Sequence, residues 1–274
     1  MEEEIDNQFR KTSLVLKELK AEEKELLRKQ VECTAFKKKK LELEARKNWD
    51  CFYKKNQDKF FKDRNWTSDD LKESCPHLNL DDPLTYLDAG CGVGNMLFPL
   101  AQYFPTWKLQ GFDFSDNAIG LLQERAKKES IPVVADVLDL TDNSKCDVVS
   151  SNFSTSDLTS LIFVLSAIHP EKHSLAIVNT LKFVKSGGTI FFRDYALYDH
   201  AMLRFGFGAK ISENFYVRQD GTRAYFFTIP EITDLFNENN CEVLKVEYLV
   251  RKTINHSKKL CVDRLFLQGC FRKK

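Results

Sequence analysis

A glycine-rich turn that follows a short apolar run is the part of this chain with the clearest chemistry. Residues 85–95, TYLDAGCGVGN, place Asp88 just before three alternating glycines. Such glycines let the backbone come close to a ligand at the start of the next helix. A second acid, Asp113, ends the next apolar run 19 residues after Gly94, where a doubly wound sheet places a carboxylate that binds two ribose hydroxyls. The two acids and the turn predict a site for a nucleoside cofactor.

The spacing of the glycines discriminates between cofactor classes. A nicotinamide cofactor requires Gly-x-Gly-x-x-Gly, but the last position is Asn95 when counted from Gly90 and Leu97 when counted from Gly92. An acid at Asp88 would repel a pyrophosphate and attract an ammonium or sulfonium group, directly or through water. S-adenosylmethionine carries both of these cations and no phosphate, so we predict it as the cofactor. The alternative is an ordinary loop between a strand and a helix.

Composition and charge limit the class of protein. The 274 residues are enough for one catalytic domain with an extension. The net charge is only +1, so any basic surface for nucleic acid must be local. No apolar stretch approaches the length of a membrane span and the first residues are acidic, which argues against a membrane protein and an import presequence. The eight cysteines lack metal-ligand spacing, so we expect reduced thiols, no metal and a cytoplasmic protein, with the nucleus as a second location.

Two segments are expected before the main domain. Residues 1–48 are rich in Lys, Glu and Leu without Pro or Gly, which predicts a charged helical extension. Residues 49–80 interleave aromatic and basic side chains. Trp49 and Tyr53 stand at helical spacing and are expected to cover the mouth of the cofactor pocket, or else to pack in the core. Basic residues of this segment, among them Arg64, also suit an RNA backbone beside stacked bases.

From residue 81 to 274, apolar runs alternate with helical patterns, which predicts a parallel sheet with crossover helices. The predicted strands are 86–89, 108–112, 133–137, a fourth that ends at 166, and 189–195, and the predicted helices are 117–129, 174–184 and 230–239. Two closing strands, 242–251 and 261–270, have little between them and predict an antiparallel hairpin.

A loop-rich insert over residues 196–228 follows the fifth strand, at the sheet edge where ligands bind in open α/β folds. Arginines there supply fork-shaped donors for phosphates, and aromatic rings supply stacking faces. The candidates for RNA binding in and beside the insert are Arg193, Arg204, Phe205, Tyr216, Arg218 and Arg223. The alternative is a structural hairpin that turns at Asp220 and Gly221 and packs its alternating residues against the sheet.

In order and spacing over residues 48–268, the chain resembles the eukaryotic methyltransferase-like family that makes 3-methylcytidine in tRNA anticodon loops. The similar segments are NWDCFYKKN, FFKDRNW, LDAGCGVGN, FDFS, LIFVLSAIHPEK, FFRDYALYDHAMLRF and NFYVRQDGTRAYFFT. The resemblance implies a class I, Rossmann-like S-adenosylmethionine-dependent methyltransferase with a seven-stranded sheet whose last strand is antiparallel. It implies cytidine at tRNA position 32 as the target and, as in the family's short cytosolic branch, serine tRNA and seryl-tRNA synthetase as partners. It also favours roles for Trp49, Tyr53 and Arg64 in a cofactor lid and in RNA contact.

Ring nitrogen 3 of neutral cytosine has a lone pair, so its attack on a methyl group needs no general base. Catalysis then consists of alignment and of stabilising a cationic product. Asp194 is the candidate negative partner of that product, with Asp199 as the substitute, and Tyr195 or Phe205 is expected to shape the base pocket. His169 is interpreted as a packed or surface residue and not as a base, because the reaction requires no base.

One departure from the family pattern affects the cofactor assignment. The family's fourth strand is unbroken, whereas here the polar residues 150–160 separate two apolar runs, as an insertion would. The acid that faces the adenine could therefore be Asp136, Asp139 or Asn152; we choose Asp136 because it follows an apolar run, and we add Ile162 as a further cofactor contact. A methyltransferase of a protein or small molecule, or an inactive RNA-binding protein, remains the alternative function.

Overall fold

The structure is a computed structural model that describes residues 3–57, 62–64, 67–255 and 260–274. It contains one large sheet, one small sheet and helices in the connections. The strands are β1 (Glu3–Ser13), β2 (Thr85–Ala89), β3 (Lys108–Asp113), β4 (Val133–Val137), β5 (Ser156–Ile162), β6 (Val184–Tyr195), β7 (Lys210–Ser212), β8 (Phe215–Val217), β9 (Arg223–Tyr225), β10 (Cys241–Asn255) and β11 (Leu260–Lys273). The helices are α1 (Ala21–Arg28), α2 (Ala35–Leu43), α3 (Ala45–Asn56), α4 (Thr67–Ser74), α5 (Leu97–Tyr103), α6 (Asp116–Glu129), α7 (Asn143–Val149), α8 (His173–Leu181), α9 (His200–Leu203) and α10 (Ile229–Glu238).

In the part of the chain that the structure describes, eight strands form the large sheet in the order β1-β10-β11-β6-β5-β2-β3-β4. β2 pairs in parallel with β3 and β5, and parallel pairing continues to β4 and β6. β11 is antiparallel to both β6 and β10. The predicted Rossmann-like sheet of seven strands with an antiparallel last strand is therefore confirmed in β2–β6, β10 and β11, and β1 adds an eighth strand that was not predicted. The strand order reverses at β2, the place where open α/β sheets bind ligands.

The central strand β2 is buried on both faces. Leu87 and Ala89 pack in one apolar cluster together with Phe112, while Tyr86 packs in a second cluster together with Leu158. Close packing on both sides fixes the end of β2. The glycine turn that follows this strand therefore has a rigid base.

The expected insertion in the fourth strand is wrong. Residues 146–149 belong to α7, and the polar run 150–160 forms a short turn and then the first part of an unbroken β5. The hydroxyl groups in β5 are buried because they have partners: Ser160 donates to Asp88 at 2.6 Å, and Ser156 and Thr159 share a hydrogen bond at 2.5 Å. Hydroxyl groups that form hydrogen bonds can be buried in a central strand, although they interrupt its hydropathy pattern.

The predicted helical extension over residues 1–48 is wrong at its start, where β1 forms. β1 pairs antiparallel with β10, with Ser13 opposite Tyr248. Its partner lies near the other end of the chain, so local composition gives no signal for this strand. The predicted boundary at residue 49 also falls inside α3, which extends from Ala45 to Asn56.

The insert over residues 196–228 is more regular than predicted, since it contains α9 and a small antiparallel sheet in the order β7-β8-β9. The predicted turn at Asp220 and Gly221 joins β8 to β9. Gly221 has a φ of +84°, which favours glycine, and the backbone N–H of Thr222 donates to Asp220 Oδ1 at 2.9 Å.

Among the described residues, no helix is long and apolar enough to cross a membrane. The same residues contain no group of His, Cys, Asp and Glu side chains arranged to hold a metal ion.

Candidate active site

A cavity lies at the carboxyl ends of β2, β3 and β5, beside the reversal of strand order. Each strand contributes the residues at or after its end: Gly90 follows β2, Asp113 ends β3, and Phe163 and Val164 follow β5. The remaining lining includes Glu42, Leu43, Arg46, Trp49, Tyr53, Phe114, Asp139, Thr141, His169, Lys172 and Arg223. The cavity therefore combines the sheet edge with α2, α3 and the insert.

At its first two glycines, the glycine turn has no room for a side chain. Gly90 and Gly92 have φ values of +75° and +53°, in the left-handed region that strains other residues. A Cβ at Gly90 would lie 2.5 Å from Val164 Cγ2, and a Cβ at Gly92 would lie 2.7 Å from the Tyr53 hydroxyl. The turn thus brings bare backbone to the cavity, as a cradle for a cofactor requires.

Asp113 fixes the turn and keeps capacity for a ligand. Its Oδ2 accepts from the Gly92 N–H at 3.0 Å and its Oδ1 accepts from the Ser115 N–H at 2.9 Å. A carboxylate offers about four acceptor positions, so both oxygens can still accept from ribose hydroxyls. Burial raises the pKa of Asp113 to about 6, although the backbone hydrogen bonds oppose that rise. Asp113 therefore lies where the sequence predicts the carboxylate that binds the ribose, and its remaining acceptor positions fit that role.

Asp88 supports the same turn from a buried position. The Ser160 hydroxyl donates to Asp88 at 2.6 Å. Burial raises the pKa of Asp88 to about 6, opposed by that hydrogen bond and by the positive charge of Arg64. Asp88 does not line the cavity that the described residues form, so its direct contact with the cofactor stays a prediction. Arg64 lies near this acid and beside Phe163 of the cavity lining, so its contact with RNA stays a prediction.

α3 covers the cavity and is fastened to α6. Trp49 and Tyr53 line the cavity with their rings stacked at 5.9 Å, as the predicted lid requires. Asp50 Oδ1 accepts from the Ser115 hydroxyl at 2.7 Å, and its Oδ2 accepts from Asn117 Nδ2 at 2.6 Å. Sequence analysis missed Asp50, because its partners are identified only when α3 is placed on the first turn of α6.

Two cofactor residues chosen from sequence lie outside the cavity. Asp136, in β4, accepts a hydrogen bond from the next backbone N–H at 2.7 Å and does not line the described cavity, whereas Asp139 does. Asn152 is exposed in the turn before β5. Ile162 packs in the core, and Phe163 lines the cavity in its place. We therefore add Asp139 and Phe163 as candidates, and contact of Asp136 or Ile162 with the cofactor stays a prediction; which residue of each pair reaches the cavity depends on where a strand ends, which hydropathy locates poorly.

Asp194 is buried at the end of β6 and is held by backbone groups. Its Oδ2 accepts from the Ser166 N–H at 2.9 Å and its Oδ1 accepts from the Tyr195 N–H at 2.8 Å. Burial raises the pKa of Asp194 to about 7, against these hydrogen bonds. The side chain does not line the described cavity, so a catalytic role stays a prediction. Asp199, the substitute, caps α9 and pairs with Arg264 at 2.9 Å.

Tyr195 belongs to an aromatic and cationic cluster beside the cavity. The ring of Tyr195 lies 4.8 Å from that of Phe163, which lines the cavity. The guanidinium of Arg64 lies 5.2 Å from the centre of the Phe163 ring, and that of Arg218 lies 5.4 Å from the centre of the Tyr195 ring. Planar groups of this kind can stack on an unpaired base. The structure thus places Tyr195 where a base pocket is expected.

Three of the predicted RNA residues are buried, and two of them, Arg193 and Tyr216, are corrected to structural roles. Arg193 is 3% exposed and pairs with Asp70 of α4 at 2.7 Å, because alternate residues of β6 face opposite sides of the sheet. Tyr216 is 1% exposed, its hydroxyl donates to Gln30 at 2.8 Å, and its ring stacks on that of Phe205 at 4.7 Å. Phe205 is partly buried in this stack and presents less than a full face to RNA.

The other predicted RNA arginines differ in accessibility. Arg204 is exposed at the end of α9. Arg218 is partly exposed and donates to the backbone carbonyl of Arg223 at 2.7 Å. Arg223 is buried, lines the cavity and pairs with Glu42 of α2, which also accepts from Lys172 at 2.5 Å. Sequence analysis missed both Glu42 and Lys172, since each lies in a charged run that resembles an ordinary solvated helix face.

Known proteins similar to this chain identify its family. Residues 59–246 match a family model described as a methyltransferase domain. The tRNA N(3)-cytidine methyltransferase METTL6 of Homo sapiens is 46% identical over 254 residues, which cover 92% of this chain and 88% of that protein. The tRNA N(3)-methylcytidine methyltransferase trm141 of Schizosaccharomyces pombe is 37% identical over 239 residues, which cover 85% of this chain and 94% of that protein. The chain belongs to the tRNA N(3)-cytidine methyltransferase family. This confirms the resemblance found in the sequence.

Solved structures show the fold of this family member. An S-adenosylmethionine-dependent methyltransferase from Anabaena variabilis superposes with a TM-score of 0.60 at 17% identity, covering 83% of this chain and 94% of that one. The 1,6-didemethyltoxoflavin N1-methyltransferase of Burkholderia thailandensis, solved with S-adenosylhomocysteine, gives a TM-score of 0.56 at 14% identity over both whole chains. At these identities the likeness concerns the fold alone. With the family, the glycine turn and Asp113, it agrees with the predicted cofactor, S-adenosylmethionine.

Proposed function

We propose that this protein transfers the methyl group of S-adenosylmethionine to ring nitrogen 3 of a cytidine in tRNA. The observation that carries the proposal is the 46% identity, over most of both chains, to a protein named for this reaction. The site supports it, because the cavity joins a glycine cradle and Asp113 to an aromatic and cationic cluster.

The residues of the chain have the tasks of alignment and charge stabilisation. Bound S-adenosylmethionine supplies an electrophilic methyl group, and the lone pair on nitrogen 3 of neutral cytosine attacks without prior loss of a proton. The turn and Asp113 hold the nucleoside part of the cofactor, and Trp49 and Tyr53 cover it. The methylated base is cationic, so the carboxylates near it favour the product over the neutral base. Asp194 remains the proposed source of that charge, with Asp199 as the substitute.

The finer proposal concerns the substrate and its partner. A cytidine at position 32 of an anticodon loop is unpaired, so it leaves its stack at less cost than a base in a duplex. The exposed Arg204 and the partly exposed Arg218 suit the RNA backbone on either side of that base. We extend the proposal to serine tRNA as substrate, seryl-tRNA synthetase as partner, and the cytoplasm, with the nucleus as a second location.

One experiment tests both levels of the proposal. Purified protein is incubated with S-adenosylmethionine and total tRNA, with and without seryl-tRNA synthetase, and the modified nucleosides are identified by mass spectrometry. We expect 3-methylcytidine in serine tRNA and faster formation when the synthetase is present. A different methylated nucleoside would overturn the function. 3-Methylcytidine in another tRNA, or a rate independent of the synthetase, would overturn only the finer proposal, and microscopy of the tagged protein tests its location.

A further inference from the structure

Glu42, at the end of α2, joins three separate parts of the site. Its carboxylate accepts a hydrogen bond from Lys172 Nζ at 2.5 Å and one from the Arg223 guanidinium. Lys172 ends the short turn that precedes α8, and Arg223 begins β9 of the insert. All three residues line the cofactor cavity. The α2 segment is therefore tied to both the start of α8 and the insert through one carboxylate.

The two cations and Glu42 together keep one net positive charge. Arg223 is held in place, since it also donates to the Ala167 carbonyl at 2.9 Å and lies 5.4 Å from the centre of the Phe215 ring. Its side chain is 7% exposed, whereas that of Lys172 is 45% exposed. One carboxylate neutralises only one of the two positive charges. Burial raises the pKa of Glu42, but the hydrogen bonds from Lys172 and Arg223 outweigh it, so the pKa lies below its ordinary value and the group is anionic.

A second cavity adjoins this ion pair. Arg223 and His169 line both cavities, and Lys38, Ser212 and Phe215 add a cation, a hydroxyl and an aromatic ring to the second one. On a path past α2, an RNA strand whose target base enters the cofactor cavity would lie along this surface. The neighbouring backbone phosphates would then come close to Arg223 and Lys172, and Glu42 would compete with those phosphates for the two cations.

We propose that Glu42 occupies, in the protein without RNA, the position at which Arg223 and Lys172 bind a backbone phosphate of the substrate RNA, so that RNA binding displaces Glu42. This inference rests on the proposed function, because it takes RNA as the substrate. It assigns a phosphate subsite to Arg223 and Lys172, and it makes Glu42 an internal competitor that opposes RNA binding. A carboxylate that merely stabilised α2 would have the opposite effect, because its loss would weaken the site.

The test compares Glu42→Gln with the matched control Glu171→Gln. Glu171 lines the second cavity, and its side chain is 88% exposed, so its replacement measures the general effect of removing one negative charge from this surface. Affinity for a serine tRNA transcript is measured by fluorescence anisotropy, and affinity for S-adenosylmethionine by calorimetry. Two ion pairs no longer need to be broken, so Glu42→Gln should bind the transcript about threefold to tenfold more tightly than the wild type, and Glu171→Gln less than about twofold.

The gain should depend on Lys172, an exposed residue whose replacement leaves the fold intact. In the Lys172→Gln background, Glu42→Gln should raise the affinity for the transcript by a smaller factor than in the wild type. Thermal denaturation shows that each variant is folded. If Lys172→Gln binds the transcript as tightly as the wild type does, the phosphate subsite is overturned. This result does not depend on whether Glu42→Gln folds.

Three further outcomes would overturn the inference: equal or weaker binding by Glu42→Gln, a gain no larger than that of Glu171→Gln, or tighter binding of S-adenosylmethionine alone. The last would assign Lys172 and Arg223 to the carboxylate of the cofactor. Failure of the proposed function is distinct from each of these, because then the wild type forms no 3-methylcytidine in tRNA.

Discussion

At the scale of single residues, Asp113 joins the glycine turn to the start of α6. Asp113→Ala removes the acceptor for the Gly92 and Ser115 N–H groups and for the ribose hydroxyls. We expect the affinity for S-adenosylmethionine to fall by about 1–3 kcal/mol, because buried donors are left unpaired. Calorimetry measures the loss. Unchanged affinity would remove Asp113 from the cofactor site.

The pKa values of Asp88 and Asp113 predict how pH affects the protein. Burial raises both from 3.8 to about 6, so between these values the folded protein binds more protons than the unfolded chain, and stability falls as pH rises through that range. Ribose hydroxyls and a cationic ligand favour ionised carboxylates. Cofactor affinity should therefore increase as pH rises through about 6 and become constant above about 7. Calorimetric titrations across this range check the prediction, and a flat profile contradicts it.

Asp194→Asn separates a structural role from a catalytic one. The amide replaces one acceptor by a donor that faces a backbone N–H, either of Ser166 or of Tyr195. We expect methyl transfer to slow by about a hundredfold, because the negative partner of the cationic product is lost. The free energy of unfolding should also fall, by about 1–3 kcal/mol, because a backbone N–H loses its acceptor. A single-turnover assay and thermal denaturation measure the two effects. A rate close to that of the wild type would limit Asp194 to a structural role.

Arg204 and Arg193 form a contrasting pair of arginines. Arg204→Ala removes an exposed cation, so tRNA affinity and its dependence on salt should both decrease while thermal stability stays the same. Arg193→Ala leaves Asp70 with one fewer partner in a buried ion-pair cluster, and it should lower the free energy of unfolding by about 3–5 kcal/mol. Anisotropy at several salt concentrations, together with thermal denaturation, distinguishes the two. Full RNA affinity in Arg204→Ala would exclude Arg204 from the RNA surface.

At the scale of secondary structure elements, α3 depends on one acid for its position over the cavity. Asp50→Ala removes three hydrogen bonds to the first turn of α6, from the Ser115 hydroxyl and from the Asn117 backbone and side chain. The affinity for S-adenosylmethionine should fall several-fold, because ordering α3 then costs part of the binding free energy. Asp116→Ala is the control, since its ion pair with Arg46 also joins α3 to α6 but is exposed. Equal effects of the two variants would contradict a specific role for Asp50.

At the scale of the whole molecule, β1 covers the edge of the large sheet. Deletion of residues 1–16 would expose the hydrogen-bonding groups of β10 and remove the contact of Arg10 with Asp70. We expect a lower melting temperature and concentration-dependent self-association, as exposed edge strands pair with other chains. Thermal denaturation and sedimentation velocity measure these effects, with the exposed substitution Lys11→Ala as control. A monomeric deletion variant with the wild-type melting temperature would show that β10 needs no cover.

The cavity is itself a product of the whole molecule. Its lining extends from Glu42 in α2 to Arg223 in β9, with residues at the ends of the four strands β2, β3, β4 and β5 between them. Residues so far apart in sequence meet only because the parallel strands end at a common edge and the insert returns to that edge.

The amino-acid sequence by itself determined the fold class, the family and the cofactor. Alternating apolar strands and helices specify a doubly wound sheet, and the glycine turn with Asp113 is a local motif whose chemistry depends on residue types at short spacing. Helical spacing alone places Trp49 and Tyr53 on one face, and the resemblance to the family was needed to favour a lid over core packing.

Only the tertiary structure decided which side chains reach the cavity. Whether Asp136 or Asp139 lines the cavity depends on where β4 ends, and the burial of Arg193 depends on which face of β6 it occupies. β1 and the ion pairs of Glu42 join parts of the chain that lie far apart in sequence. All four features have the same physical reason. Packing between elements sets the direction of side chains and the pairing of distant segments, and neither can be predicted from local composition.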